Sequence, residues 1–207
     1  MKISVYTISL LLFPLLSFSN DSSLSDNHLY LELREISPNN WGVYVSHDNI
    51  LQVGDRLHTG SGQVTIVAPA GFTYFDFVNH GGTWVENARV TNPVEARGRC
   101  YISFGFVVDQ PKVELIPNES TLLFSFKTEP IYFGQFQLFE NKADPFETPN
   151  SYGTNPGNDL GMIAKTDNNV IKYLLYAHNI HQPGMSIYSE SGREEDDVKA
   201  ILMTDKK

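Results

Sequence analysis

Short apolar runs that alternate with polar residues recur along this chain, each closed by turn residues, and no stretch before residue 190 carries the 3.6-residue period of a helix. Alternation by two puts every second side chain on one face of a pleated strand, so this period decides the fold class. Leu29, Leu31 and Leu33 alternate with Tyr30, Glu32 and Arg34. After a turn at SPNN, Trp41, Val43 and Val45 alternate. A Gly-rich turn at Gly60 and Gly62 then leads into QVTIVAP, with Val64 and Ile66 on one face, and TWVENARV follows the Gly81-Gly82 pair. CYISFGFVV, residues 100–108, is apolar on both faces, which predicts a central strand covered on each side. KVEL, then TLLFSFK with Leu122, Phe124 and Phe126 on one face, then QFQLFE and VIKYLLYA continue the series. About nine strands with no intervening helix predict an all-β, antiparallel β-sandwich.

The chain opens MKISVYTISLLLFPLLSFSN: one basic residue, Lys2, precedes an apolar run from Ile3 to Phe18, and Ser17 and Ser19 stand at the minus three and minus one positions of a cleavage site. This is the pattern of a secretory signal peptide over residues 1–19. The run is 16 residues long and contains Pro14, short of the ~20 residues that cross a bilayer. The expected organisation is a signal peptide over 1–19, a linker over 20–27, one sandwich domain over 28–185, and a charged tail over 186–207. The mature chain of about 188 residues (207 minus 19) suffices for one well-buried domain. Removal of Lys2 takes the formal charge from −9 to −10, and no Lys- or Arg-rich stripe is present. The counterion release that drives nucleic-acid binding therefore has no source, which excludes nucleic acid and anionic membrane surfaces as main partners. Cys100 is the one cysteine, so no internal disulfide forms, and it reads as a small buried apolar residue of a strand.

Residues 144–161, DPFETPNSYGTNPGNDLG, fit neither helix nor strand. Pro145, Pro149 and Pro156 withhold ladder donors, and Gly153, Gly157 and Gly161 permit positive φ. Asn150, Asn155, Asn158 and Asp159 can close Asx-turns, with Phe146 and Tyr152 to pin the segment to the sandwich. Two uses stay open: a cover over one end or edge of the sandwich, or a calcium site built from the hard oxygens of Asp144, Glu147, Asn155, Asn158 and Asp159. No other cofactor is expected.

The succession GSGQVTIVAPAGF, GGTWVENARV, YISFGFV, ESTLLFSFK and DPFETPNSYGTNPGNDLG resembles the cohesin-like domains of the carbohydrate-binding-module superfold, as found in secreted and surface proteins of gliding and filamentous bacteria. The resemblance spans residues 28–180 and implies a nine-stranded jelly roll; function does not follow from such a fold. Domains of this type usually head long modular proteins. The tail here is too short for the sorting domain of the type 9 secretion route and carries no LPxTG motif. Release, or retention by assembly with other proteins, is the expectation.

HExxH, GxSxG, a Walker loop and paired-cysteine metal spacing are absent, and no catalytic role is expected. His178 and His181 are three apart, on opposite faces of a continuing strand, and do not share a metal. Trp41, Trp84, Phe72, Tyr74, Phe75 and Phe77 offer either a sugar platform or core filling, and core filling is favoured. As a strand, this stretch puts Phe72, Tyr74 and Asp76 on one face and Thr73, Phe75 and Phe77 on the other. In the tail, Ser191 and Glu194 are spaced as a capping box, and Val198, Ile201 and Leu202 recur at helical spacing; two readings stay open, a short helix able to dock on a partner and a frayed charged tail, since so short a helix is marginal without tertiary packing. The reading is a non-catalytic, exported structural or adhesive protein acting through contacts with other extracellular or surface proteins or with itself. A carbohydrate-binding module is the alternative and a hydrolase the third class.

Overall fold

The computed structural model describes residues 27–48, 55–116, 119–132 and 135–181. The export signal and the segment with Val198, Ile201 and Leu202 lie outside the described residues. Regular structure among the described residues is strand, apart from one 3-10 turn at Pro130–Tyr132. The strands are β1 His28–Ser37, β2 Asn40–His47, β3 Arg56–Pro69, β4 Tyr74–Asn79, β5 Thr83–Thr91, β6 Arg99–Val108, β7 Thr121–Thr128, β8 Gln137–Leu138, β9 Asp159–Lys165 and β10 Ile171–Ile180. They form one sheet in the order β4-β7-β2-β1-β10-β9-β3-β6-β5, with β8 attached to β3. The sheet folds over into a barrel-like sandwich, so the all-β expectation holds.

The two end strands, β4 and β5, are consecutive in sequence, and the connection over residues 80–82 brings the ends of the sheet together. Asn79 links them: its Oδ1 accepts from the Trp84 amide at 2.9 Å and its Nδ2 donates to the Trp84 carbonyl at 3.4 Å. Inside, Trp41, Val43 and Val45 of β2 and Phe124 and Phe126 of β7 share one core with Val64, Ile66, Ile102 and Phe104. Phe77 of β4 stacks on Phe104 of β6 with centroids 5.2 Å apart, and Phe104 meets Phe124 at 5.0 Å. Such ring pairs each add about 0.5–1.5 kcal/mol beyond burial alone.

Several expectations are corrected. The sheet is mixed, because β1 and β10 pair in parallel from His28↔Leu175 to Glu32↔Ile180; parallel neighbours need a long crossover, and residues 38–170 provide it. Gly60 and Gly62 make no turn but lie inside β3, with a bulge between Thr59 and Ser61. A Cβ on Gly62 would stand 2.8 Å from the Trp84 ring and 3.0 Å from Leu160, so glycine here permits close packing. In β7 a register shift against β2 makes Leu123 the extra residue, so Leu123 is buried and Leu122 only partly so. In β4, Asp76 has φ of 50° within a register shift, which puts Tyr74 and Phe77 together on the core side and leaves Phe75 exposed. KVEL forms no strand, although Val113 is buried, and QFQLFE contributes only the two residues of β8. Residues 159–161, expected in the irregular loop, begin β9.

The stretch over 100–108 is not central: β6 lies next to the end strand β5. It is buried on both faces only over residues 100–104, whereas Val107 and Val108 are exposed. The second cover comes from Phe139 and Phe146, which meet Tyr101 but do not extend to the far half of the strand. Phe104→Ala should therefore cost ~3–5 kcal/mol, and Phe106→Ala less, since Phe106 is only partly buried. Urea unfolding midpoints of the two variants check this; equal losses would contradict the placement of Phe106.

Candidate functional site

The irregular segment after β8 covers the outer face of β3, β6 and β5. Its Phe139 and Phe146 build a second small core with Val67, Val90, Ala96 and Tyr101. Tyr101 and Phe146 rings lie 4.6 Å apart, and the Tyr101 hydroxyl donates to Asp144 Oδ1 at 2.8 Å. The same oxygen accepts from the Phe146 amide at 2.8 Å, closing an Asx-turn. Asn150 Oδ1 accepts from the amides of Tyr152 and Thr154, and Asn155 Oδ1 from that of Gly157. Only Gly153 of the three glycines has positive φ, at 61°.

Asn158 does something no Asx-turn does. On that side of β3 the β9 ladder ends at Gln63↔Asp159 and the β8 ladder begins at Ile66↔Leu138. The Asn158 side chain fills the gap: its Oδ1 accepts from the Thr65 amide at 2.7 Å, and its Nδ2 donates to the Phe139 carbonyl at 2.8 Å and to Asn179 Oδ1 at 3.2 Å. Its backbone exchanges two 2.8 Å bonds with the Asn141 amide group. Asn179 in turn donates to the Phe139 carbonyl and to Glu140 Oε1, and accepts from the Tyr176 hydroxyl at 3.0 Å. Burial pushes the Tyr176 phenol up to about 12; the Asn158 contact opposes this and the Glu140 charge adds to it.

The five proposed calcium ligands are thus divided. Asp144 and Asn158 are buried with their Oδ1 atoms already accepting protein hydrogen bonds. Glu147, Asn155 and Asp159 line a shallow polar cleft of about 310 Å3 with Asn141, Thr148 and Tyr176, and Asn158 also borders it; Asp144 does not. No group of three or more His, Cys, Asp or Glu able to hold a metal is present among the described residues.

The rings offered as a sugar platform are mostly interior: Trp41, Trp84 and Phe72 are buried, and Tyr74 and Phe77 pack against the core, leaving Phe75 alone outside. Cys100 is buried beside Thr91 and Arg89. His178 packs edge-on against Tyr30 at 4.8 Å, and His181 stands 3.2 Å from Glu140, so the two serve different contacts. A serine–histidine contact not legible in the sequence joins His80 Nε2 to Ser125 Oγ at 2.9 Å; Ser125 is buried, which makes this a link between β7 and the 80–82 connection. At the junction of β4 and β5, Arg89 donates twice to Glu86 at 2.8 Å and Tyr74 donates to Glu86 at 2.8 Å. The Arg89 bonds hold the Glu86 carboxyl below its ordinary value of 4.5, against the opposing pull of burial.

An exposed apolar row lies on the outer face of β9 and β10. Ile171, Tyr173 and Leu175 are 54, 53 and 59% exposed while Leu174 points inward at 1%. Tyr173 stands across from Ile163, itself 38% exposed, and Ile163 across from His58. At one end of this row Lys165 pairs with both Ile171 and Arg56, and Arg56, Lys165, Thr166, Asp167 and Asn169 line a small depression of about 110 Å3. Alternation in VIKYLLYA carried the signal for a strand, but not the fact that nothing among the described residues covers its second face.

No family model, no curated protein and no solved structure matches this chain.

Two outcomes follow from the site. Asp144→Ala removes the acceptor shared by the Tyr101 hydroxyl and the Phe146 amide, and Asn158→Ala removes the acceptor of the Thr65 amide, each lost bond to a buried group costing ~1–3 kcal/mol; the losses should be equal in calcium and in EDTA, as read by thermal melts. Glu86, with its folded value depressed, contributes stability present above pH 4.5 and lost as pH falls through the folded value. Glu86→Gln should therefore be less stable than the parent at pH 7, the gap closing in acid below 4.5 when both are unfolded with urea across pH.

Proposed function

We propose that this chain is a non-catalytic, exported structural or adhesive protein of the cohesin-like type, acting through protein–protein contacts at the cell surface or in an extracellular assembly. The observation that carries this reading is the exposed row Ile163, Ile171, Tyr173 and Leu175 with Arg56 and Lys165 at its end. Contiguous apolar surface on a strand face is costly to leave in water, and a partner protein is what commonly covers it. The all-β sandwich agrees with the resemblance in fold class alone, and the sequence pattern of residues 1–19 supports export.

A second reading, a carbohydrate-binding module, is favoured by the polar cleft, which Glu147, Asp159, Asn141 and Asn155 line together with Tyr176. Carboxylates and amides match sugar hydroxyls, and one ring can face a pyranose. The two readings use different surfaces. Chemical cross-linking of the native protein in the producing cell's envelope should yield a defined adduct that Tyr173→Glu with Leu175→Glu abolishes and Val94→Glu leaves intact. An adduct unchanged by the double variant would overturn the protein-contact reading. Glycan binding lost in Asp159→Ala but kept in the double variant would establish the second.

A further inference from the structure

The strand that carries the exposed row is also the strand from which the chain leaves the sandwich. β10 ends at Ile180, and His181, 3.2 Å from Glu140, fixes the point of departure. Pro183-Gly184 follows at once, a pair that favours a chain reversal, with proline at the second and glycine at the third position of the turn. Beyond it the sequence has an acidic run, Glu194, Glu195, Asp196 and Asp197, and then Val198, Ile201 and Leu202 spaced to share one side of a helix.

This order of chemistry matches the face. The face has an apolar row, Ile163, Ile171, Tyr173 and Leu175, ending in the cations Arg56 and Lys165. The segment has an apolar triplet ending in four acids. In a chain of net charge −9 a cationic end to an apolar patch is a distinctive surface, and its charge favours an acidic segment over a basic one as its occupant. Reach is sufficient. Returning from Ile180 to Tyr173 requires about 23 Å at ~3.3 Å per residue. The sixteen residues from Pro183 to Val198 span about 24 Å if helical and about 50 Å if extended.

We infer that residues 194–202 dock within the same chain on the outer face of β9 and β10, their apolar triplet on Tyr173, Leu175 and Ile163 and their acids toward Arg56 and Lys165. The tail is then a built-in competitor. An external partner gains this face by displacing it, and the partner that does so presents the same chemistry: an acidic run beside apolar residues at helical spacing. This inference rests on the reading of that face as a protein-contact surface.

The test keeps the full chain. Tyr173→Cys with Ile201→Cys, oxidised at low protein concentration, should close an intramolecular disulfide; Cys100 is buried and does not compete. The control is Val94→Cys with Ile201→Cys. Val94 is exposed near the end of β3 opposite to Arg56, beside the Gly98–Ala70 contact. Closure should be at least ~10-fold faster for the first pair, as effective concentration demands. Arg56→Glu added to it should slow closure, as should salt. Equal rates for the two pairs, disulfides only between chains, or a rate indifferent to both Arg56→Glu and salt would each overturn the inference. The cross-linked adduct of the preceding section is read independently: its loss in Tyr173→Glu with Leu175→Glu stands even where the tail fails to dock, and a docked tail with no such adduct refutes only the partner.

Discussion

Closure of the sheet is the constraint on which the remaining structure depends. An open sheet of this size has two unpaired edges, each a template for pairing with other chains. Here the edges are β4 and β5, and Phe77, Phe104, Phe124 and Trp84 bring the strands that carry them into one aromatic cluster. Asn79 completes the seam with two hydrogen bonds to Trp84. Each end strand also has an irregularity, at Asp76 in β4 and between Glu86 and Ala88 in β5, and charges in ion pairs: Asp76 with Lys127, Glu86 with Arg89. Bulges and charges of this kind blunt an edge. The faces of the sandwich, rather than its edges, are therefore where contact with another molecule is to be sought.

With the barrel-like core closed, the outer faces differ in how they are finished. Over β3, β6 and β5 the chain supplies its own cover, the segment from Phe139 to Asn158, held by two rings and by side-chain amides that stand in for missing strands. Asn is suited to this because one side chain offers both an acceptor and a donor, as a peptide group does. The polar cleft beside Tyr176 is a by-product of that bracing: the loop that satisfies β3 leaves amides and carboxylates at its rim. Over β9 and β10 the described residues supply no such cover, and the row of Ile171, Tyr173 and Leu175 faces outward. The contrast between a face finished by polar bracing and a face left apolar underlies the functional reading.

Much of this was legible in the residues. The period-two alternation in β1, β2 and the second half of β3 named their buried sides, with Leu29, Leu31, Leu33, Trp41, Val43, Val45, Val64 and Ile66 all in the core. The prolines and asparagines of 144–158 announced an ordered irregular segment pinned by Phe146. The division of labour among its polar groups was not legible. Asp144 and Asn158 look the same as Glu147 and Asp159 in a list of oxygen donors. What separates them is a hydroxyl from β6 and an amide from β3 arriving from more than forty residues away in sequence.

Local sequence, by itself, determined that the chain forms strands and which side of most of them is greasy, because alternation is a property of neighbours along the backbone. Only the tertiary structure decided the rest. Single-residue bulges at Leu123 and Asp76 reversed the faces of Leu122 and Phe77, and one inserted residue is enough to do so when the period is two. The parallel pairing of β1 with β10 joined segments about 150 residues apart, a choice of partner that no local pattern encodes. Whether an apolar row such as Ile171, Tyr173 and Leu175 is core or surface depends on what lies above it, and that is settled by the closing of the whole sheet.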